Sequence, residues 1–269
     1  MKKELNIGSY KISNFPKARI PTLDFLALGD KNHYVKSLIE VDVTNGHQLI
    51  INHEKKTGVK LSFTAWLLKC IAQAASEHKA VHSMMMRKKN IITFDEVDIS
   101  ITVEKIVKGV KAVMPLVVRK TNEKSLLQIH QEIRAAQSED VNGASVLGEN
   151  ILKRKMELYI SLPKFLRKFF IKRILKNPIR TKQIMGTIVV TAVGMFGKVN
   201  GWPIPTTSHP LAIAIGGITK KPGIINDKIE IRDYLTMTLL FNHDVIDGAP
   251  ATRFVSRLDD LIESGFGLK

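Results

Sequence analysis

Eight histidines are candidates for acid–base chemistry in this chain, and one stands apart by its spacing. His243 lies in Phe241-Asn242-His243-Asp244-Val245-Ile246-Asp247-Gly248, with a carboxylate four residues on. None of the other seven has an acid at that spacing; His33, for example, is followed there by Ser37. An imidazole titrates near neutral pH, so a histidine presented on a loop can accept a proton as a general base. Asp247 would hold the loop or orient a neighbouring group. His243 also follows an apolar strand-like run and precedes a turn glycine, a position at which rigid elements present catalytic side chains. Spacing alone does not distinguish a structural histidine from a catalytic one.

The elements that must position this loop follow from apolar periodicity. Ile39, Val41 and Val43 alternate with Glu40, Asp42 and Thr44, and Val97, Ile99, Ile101 and Val103 with Asp98, Ser100 and Thr102, which predicts two half-buried strands. Val113 to Val118 reads as a shorter strand, with Pro115 pointing to an edge or a bulge. Residues 186–193, 211–216 and 234–241 are apolar or alternating runs, and so three further strands. Helices are expected from Ser62, where Leu67, Cys70, Ile71 and Ala74 form a stripe, and after Ser125, which forms a capping box with Gln128. A last helix opens at Pro250, with Ala251, Phe254, Val255, Leu258 and Ile262 on one face. Residues 1–33, punctuated by Pro16, Pro21 and Gly29, read as irregular. The order lacks regular βαβ spacing, so the expected class is α+β with a mixed sheet, in one domain over 1–269.

Composition bounds the function. The chain has 269 residues, 44% hydrophobic and 25% charged, which excludes disordered and collagen-like classes. The basic N-terminus has no apolar run behind it, and no stretch approaches the ~20 apolar residues that span a bilayer. The single cysteine, Cys70, excludes a disulfide framework and a cysteine-rich metal site; it sits on an apolar stripe and reads as packing. A cytoplasmic location, association with a membrane being left open, and no metal are the expectations.

The formal charge of +16 is concentrated. Eleven of the basic residues lie between Lys153 and Lys182, where the only acid is Glu157. This segment, reading LYISLPKFLRKFFIKRIL at its centre, places Phe165, Leu166, Phe169, Phe170 and Ile174 on one helical arc, with Arg173 inside the arc and Ile171 outside it. Three readings stand side by side: peripheral contact of 153–182 with an anionic membrane, docking of an acidic protein such as an acyl-carrier protein, or helices whose apolar side packs on the body. Nucleic acid is not expected, since there is no groove-reading motif and aromatics are only 6% of the chain.

The residues Asn242-His243-Asp244-Val245-Ile246-Asp247-Gly248-Ala249 resemble the D-H-R-x-x-D-G-A motif of the acyltransferase (E2) subunits of 2-oxo acid dehydrogenase complexes. Chloramphenicol acetyltransferases share its H-x-x-x-D-G core. Gly186 to Gly197 (GTIVVTAVGMFG) resembles the family's G-T-F-T-I-S-N-L-G-x-x-G, and the stretches from Ile39 (IEVDVT), Gly58 (GVKLSFTAWLLKCIAQA) and Pro115 (PLVVRKTNEKSLL) also match, in the family's order. The resemblance implies the chloramphenicol acetyltransferase-like α/β sandwich and acyl transfer between coenzyme A, as acyl-CoA, and another acceptor. It implies His243 as the general base, Thr191 in place of the family's serine as hydrogen-bond donor to the oxyanion, and Asp247 as a support of active-site geometry. It further implies a homotrimer in which His243 meets Thr191 of a neighbouring chain.

The departures are Asn242 and Asp244 where the family has Asp and Arg, and Thr207-Ser208-His209 where it commonly has Asn-Pro-Pro. No lipoyl or peripheral-subunit-binding domain is recognisable, so the resemblance implies a stand-alone form served by a lipoyl domain in trans or by a different acceptor. The basic segment, at about 150–183, reads as an insertion ahead of the strand bearing Thr191. The alternative to an enzyme is an inactive trimeric scaffold or membrane-surface protein that retains the fold.

Overall fold

A computed structural model of the chain describes residues 8–29, 32–87, 89–107, 110–138, 157–196 and 200–268. Its frame is a six-stranded mixed sheet of β1 (Tyr34–Asp42), β4 (Ile99–Val107), β5 (Val110–Val118), β6 (Ile188–Ala192), β7 (Leu211–Ile225) and β8 (Lys228–Asn242). Their spatial order is β1-β8-β7-β6-β4-β5. The pairs around β6 are parallel; β1 with β8, β8 with β7 and β4 with β5 are antiparallel. A separate two-stranded hairpin joins β2 (Met84–Met86) and β3 (Asn90–Ile92). The α+β class with a mixed sheet is what the alternating runs led us to expect, and β5, with Pro115, is an edge strand.

The helices follow their caps. α2 (Thr44–Thr57) ends at Gly58, whose φ of 72° is a conformation glycine adopts without strain. α3 (Phe63–Glu77) starts where the Ser62 hydroxyl accepts from the Ala65 N–H at 3.3 Å. α4 (Leu126–Ser138) starts on the reciprocal pair Gln128 N–H to Ser125 Oγ and Ser125 N–H to Gln128 Oε1, at 3.2 and 2.8 Å. α7 (Gly248–Glu263) turns Phe254, Leu258 and Ile262 into a core shared with Trp66, Leu67 and Ile71 of α3 and Phe241 of β8. Cys70 is buried there, its thiol pushed up to about 12 by burial, which fits packing and not nucleophilic use.

One acid on α7 is poorly housed. A carboxylate oxygen of Asp259 is buried with no hydrogen-bond partner among the described residues. Burial first, then the carboxylates of Glu263, Asp260 and Asp42, push its pKa up to about 6. A carboxyl whose folded pKa is raised holds its proton more tightly folded than unfolded. Its penalty is therefore absent below about pH 4 and grows until the pH passes about 6. Asp259→Asn is expected to raise the unfolding free energy by about 1 kcal/mol near pH 8, discounted for partial exposure, and by nothing near pH 4. Denaturant titrations across that range check it.

One expectation is corrected, and one of the three readings of the basic segment is set aside. Residues 1–33 are not all irregular: α1 spans Ile20–Gly29 despite Pro21, which falls in the first turn where a proline costs no helix hydrogen bond. The basic segment forms α5 (Lys164–Leu175) and α6 (Pro178–Met185), but its aromatic arc does not pack on the body. Ile171, outside that arc, is the buried residue at 2% exposure, whereas Phe165, Phe169 and Phe170 face solvent. The physical reason is Arg167. Its guanidinium donates to Asp24, which is 4% exposed, at 2.8 Å, and the Tyr159 hydroxyl donates to the same carboxylate at 2.9 Å. Satisfying that buried acid orients α5 with Arg167 and Ile171 inward. Lys153, Arg154 and Lys155 lie outside the described residues.

Arg167→Ala would leave the Asp24 carboxylate buried with only the Tyr159 hydroxyl. The expected cost is about 3 kcal/mol of stability, visible as a lowered denaturation midpoint. Arg167→Lys, which keeps the charge but not the planar fork, should recover part of it.

Candidate active site

His243 is presented where β8 ends. The last strand residue, Asn242, donates its N–H to the Pro210 carbonyl at 2.9 Å. The His243 N–H donates to the His33 carbonyl at 2.7 Å. The chain then turns tightly: the Asn242 side-chain oxygen accepts from the Asp244 N–H at 3.0 Å, and its carbonyl from the N–H groups of Val245 and Ile246. Ile246 is buried and pins the turn to the core. Asp247 has the extended conformation of an N-cap at the start of α7. The backbone around His243 is thus fixed on both sides while its ring stays 46% exposed.

The structure brings His243 and Asp247 together. Nδ1 of the ring lies 3.8 Å from Asp247 Oδ1, an ion-pair distance rather than a hydrogen bond. Asp247 is 88% exposed, so this contact orients weakly. Nδ1 is thus the ring nitrogen that faces the carboxylate. A cleft of about 210 Å³ adjoins the loop, bounded by Asn242, Asp244, Asn32, Ser83 and Thr181.

Thr191 is not brought to His243 within one chain. It pairs with Ala214 of β7, which pairs with Thr238 of β8. Five residues of strand, ~17 Å, separate the Thr238 level from His243, and two strand spacings add ~10 Å sideways. Thr191 is half-buried in β6, and no side-chain partner for its hydroxyl is found among the described residues. The segment after β6 lies close on β7: a Cβ on Gly194 would come 1.9 Å from the Gly216 carbonyl oxygen, so only glycine fits.

Sequence reasoning missed His33. Its Nδ1 meets Asp244 Oδ1 at 2.9 Å, so the acid that replaces the family's arginine has a basic partner. The pair is 211 residues apart in the chain, and no local pattern signals it. His209, one of the departures from Asn-Pro-Pro, is buried and structural: its ring bonds the Met185 carbonyl at 3.0 Å and the Thr207 hydroxyl at 3.3 Å, and burial pushes its pKa down to about 4. Among the described residues no group of His, Cys, Asp and Glu is arranged to hold a metal.

Solved structures share this architecture. A probable dihydrolipoamide acetyltransferase from Listeria monocytogenes 4b F2365 is similar with a TM-score of 0.69 at 22% identity, over 95% of each chain. The Azotobacter vinelandii dihydrolipoamide acetyltransferase, in a structure concerned with a serine, a histidine and an asparagine in its catalytic mechanism, is similar with a TM-score of 0.67 at 20% identity, over 96% of this chain and 93% of that one. A chloramphenicol acetyltransferase matches with a TM-score of 0.50 at 14% identity, over 90% of this chain and 95% of that one. The fold is the chloramphenicol acetyltransferase-like α/β sandwich.

The chain belongs to the 2-oxoacid dehydrogenases acyltransferase (catalytic domain) family, whose model matches residues 32–145 and 168–266. Among curated relatives, the lipoamide acyltransferase component of the branched-chain alpha-keto acid dehydrogenase complex of Bacillus subtilis (strain 168) is 24% identical over 234 residues, 85% of this chain and 46% of that protein. The mitochondrial dihydrolipoyllysine-residue succinyltransferase component of the human 2-oxoglutarate dehydrogenase complex is 25% identical over 229 residues, 83% of this chain and 42% of that protein. The chain spans less than half the length of these relatives.

Proposed function

We propose that the protein is an acyltransferase that moves an acyl group between coenzyme A and a thiol acceptor, with His243 as general base. The observation that carries this is the half-exposed His243 ring on a backbone locked at the exit of β8, in a member of this family. Acyl-CoA supplies an activated thioester. Nε2 of His243, the nitrogen that does not face Asp247, takes the proton of the attacking thiol, whose sulfur adds to the thioester carbonyl. The tetrahedral intermediate carries its charge on oxygen, and the Thr191 hydroxyl of a neighbouring copy donates to it. Collapse breaks the bond to the departing sulfur, which recovers the proton from His243. Asp247 keeps the loop geometry and handles no proton.

Spacing supports the residue roles. In the Azotobacter enzyme the serine stands 52 residues before the histidine and the asparagine four after it. Thr191 stands 52 residues before His243, and Asp247 four after it. Assembly, which we take to be a homotrimer, is supported by the ~20 Å between His243 and Thr191 in one chain. It is also supported by the β7–β8 hairpin tip, where Ile224, Ile229 and Ile231 are exposed and want a cover. The acceptor we favour is a dihydrolipoyl group, since the B. subtilis relative is named a lipoamide acyltransferase; an acidic acyl-carrier protein is the second candidate.

The test is thiol release from acyl-CoAs of rising chain length, with dihydrolipoamide or a carrier-protein acceptor. Acceptor-dependent release is expected, with one chain length preferred. No release with either acceptor, in protein that binds CoA, would overturn the reading and favour a scaffold.

A further inference from the structure

The outward face of α5 is a surface that acyl transfer leaves without a task. At helical spacing Phe165 and Phe169 lie beside Lys172, Arg173 and Lys176, opposite the inward Arg167 and Ile171. Phe165 is 70% and Phe169 59% exposed. Two cations of the segment are neutralised by the body, Arg167 by Asp24 and Lys182 by Glu96. Among the described residues Lys164, Lys168, Lys172, Arg173, Lys176 and Arg180 have no acidic partner. A cleft of about 850 Å³ opens between this face, the start of α6 and the β2–β3 hairpin. Its walls include Phe169, Lys172, Arg173, Lys176, Arg180 and Arg87, and among the described residues no carboxylate.

We propose that this face docks on an anionic lipid surface, the cleft seating a phosphate headgroup and Phe165 and Phe169 entering the boundary between headgroups and acyl chains. Charge complementarity names the sign of the partner: six cations with no acidic partner among the described residues raise a field that draws a dense anionic surface and repels a second copy of the same face. The mixture of side chains names its kind. A protein interface concentrates aromatics in a centre depleted of charge, with charges at the rim. Here Phe169 is flanked by Arg173 and Lys176, so no charge-free centre exists. At a lipid interface the same mixture is favourable, because rings enter the apolar layer while lysine and arginine stems let their heads remain among the phosphates. Among the described residues no helix is long and apolar enough to cross a membrane, so the contact is peripheral.

This inference does not rest on the acyl-transfer reading, and its test is separate from activity. The full-length protein is sedimented with vesicles of phosphatidylcholine alone or of an equal mixture with phosphatidylglycerol. Binding to the mixed vesicles only is expected, weakening at least tenfold as salt rises to about 0.5 M. Lys172→Gln with Arg173→Gln and Lys176→Gln should weaken it about a hundredfold, and Phe165→Ser with Phe169→Ser about tenfold. Ile171 and Arg167 are untouched in both variants, so thermal midpoints should match wild type. His243→Ala should bind vesicles as wild type does.

Equal binding to both vesicle types, or binding insensitive to both variants, would overturn the proposal. So would capture of an acidic carrier protein without vesicle binding, which would make the face a protein dock. A change of oligomeric state in the Phe165→Ser, Phe169→Ser variant would overturn it too, by showing that a second copy covers the rings.

Discussion

His243→Ala is expected to lower acceptor-dependent thiol release by about 10²–10⁴-fold, the range over which a positioned base contributes. The substitution is clean in this setting. The position's backbone is held by the His33 carbonyl, and its neighbours by Pro210 and Asn242, none of which involves the imidazole. The ring is half-exposed, so its removal leaves no sealed cavity, and unfolding free energy should stay within about 0.5 kcal/mol of wild type. Loss of rate with acyl-CoA binding retained would mark His243 as acting on the reacting thiol. Parallel loss of rate and stability would instead assign it to the loop's architecture. Asp247 provides the contrast: at 3.8 Å and 88% exposure it should tolerate Asp247→Asn with a far smaller loss.

Much of this frame is legible in the chain because its strands are built in the plainest way. Leu235 to Phe241 is buried throughout and reads as a strand, and the capping pair Ser125–Gln128 is visible as a four-residue pattern. The outer halves of β7 and β8 are not legible: Lys220, Lys221 and Pro222 interrupt the apolar run, and the hairpin from Ile218 to Leu235 is held by cross-strand pairing rather than by burial. Which side of α5 turns inward is left open by the sequence, for a more instructive reason. Counting apolar residues on an arc assumes the apolar side turns inward, whereas the buried carboxylate of Asp24, 143 residues away in the chain, sets the rotation through Arg167. The same limit hides His33 beside Asp244. Polar partnerships between distant segments leave no periodicity.

Thr191→Val, which keeps the shape of the side chain and removes its hydroxyl, is expected to cost about 10²–10³ in rate. The position lies in β6 with Ala214 across the strand pair, so a β-branched replacement suits the backbone and the fold should hold. The decisive experiment combines it with His243→Ala. Each variant alone should keep only about a hundredth of the rate or less, yet a His243→Ala chain keeps a competent Thr191 and a Thr191→Val chain a competent His243. If every site joins the histidine of one chain to the threonine of the next around a ring, co-assembly from equal amounts should restore about a quarter of wild-type sites. If both residues serve one intrachain site, mixing restores nothing. The register makes the second outcome hard to reach, since closing ~20 Å would require β6 or β8 to leave the sheet. Recovery after co-refolding, and none after mixing assembled proteins, would therefore fix both the donor role of Thr191 and the shared nature of the site.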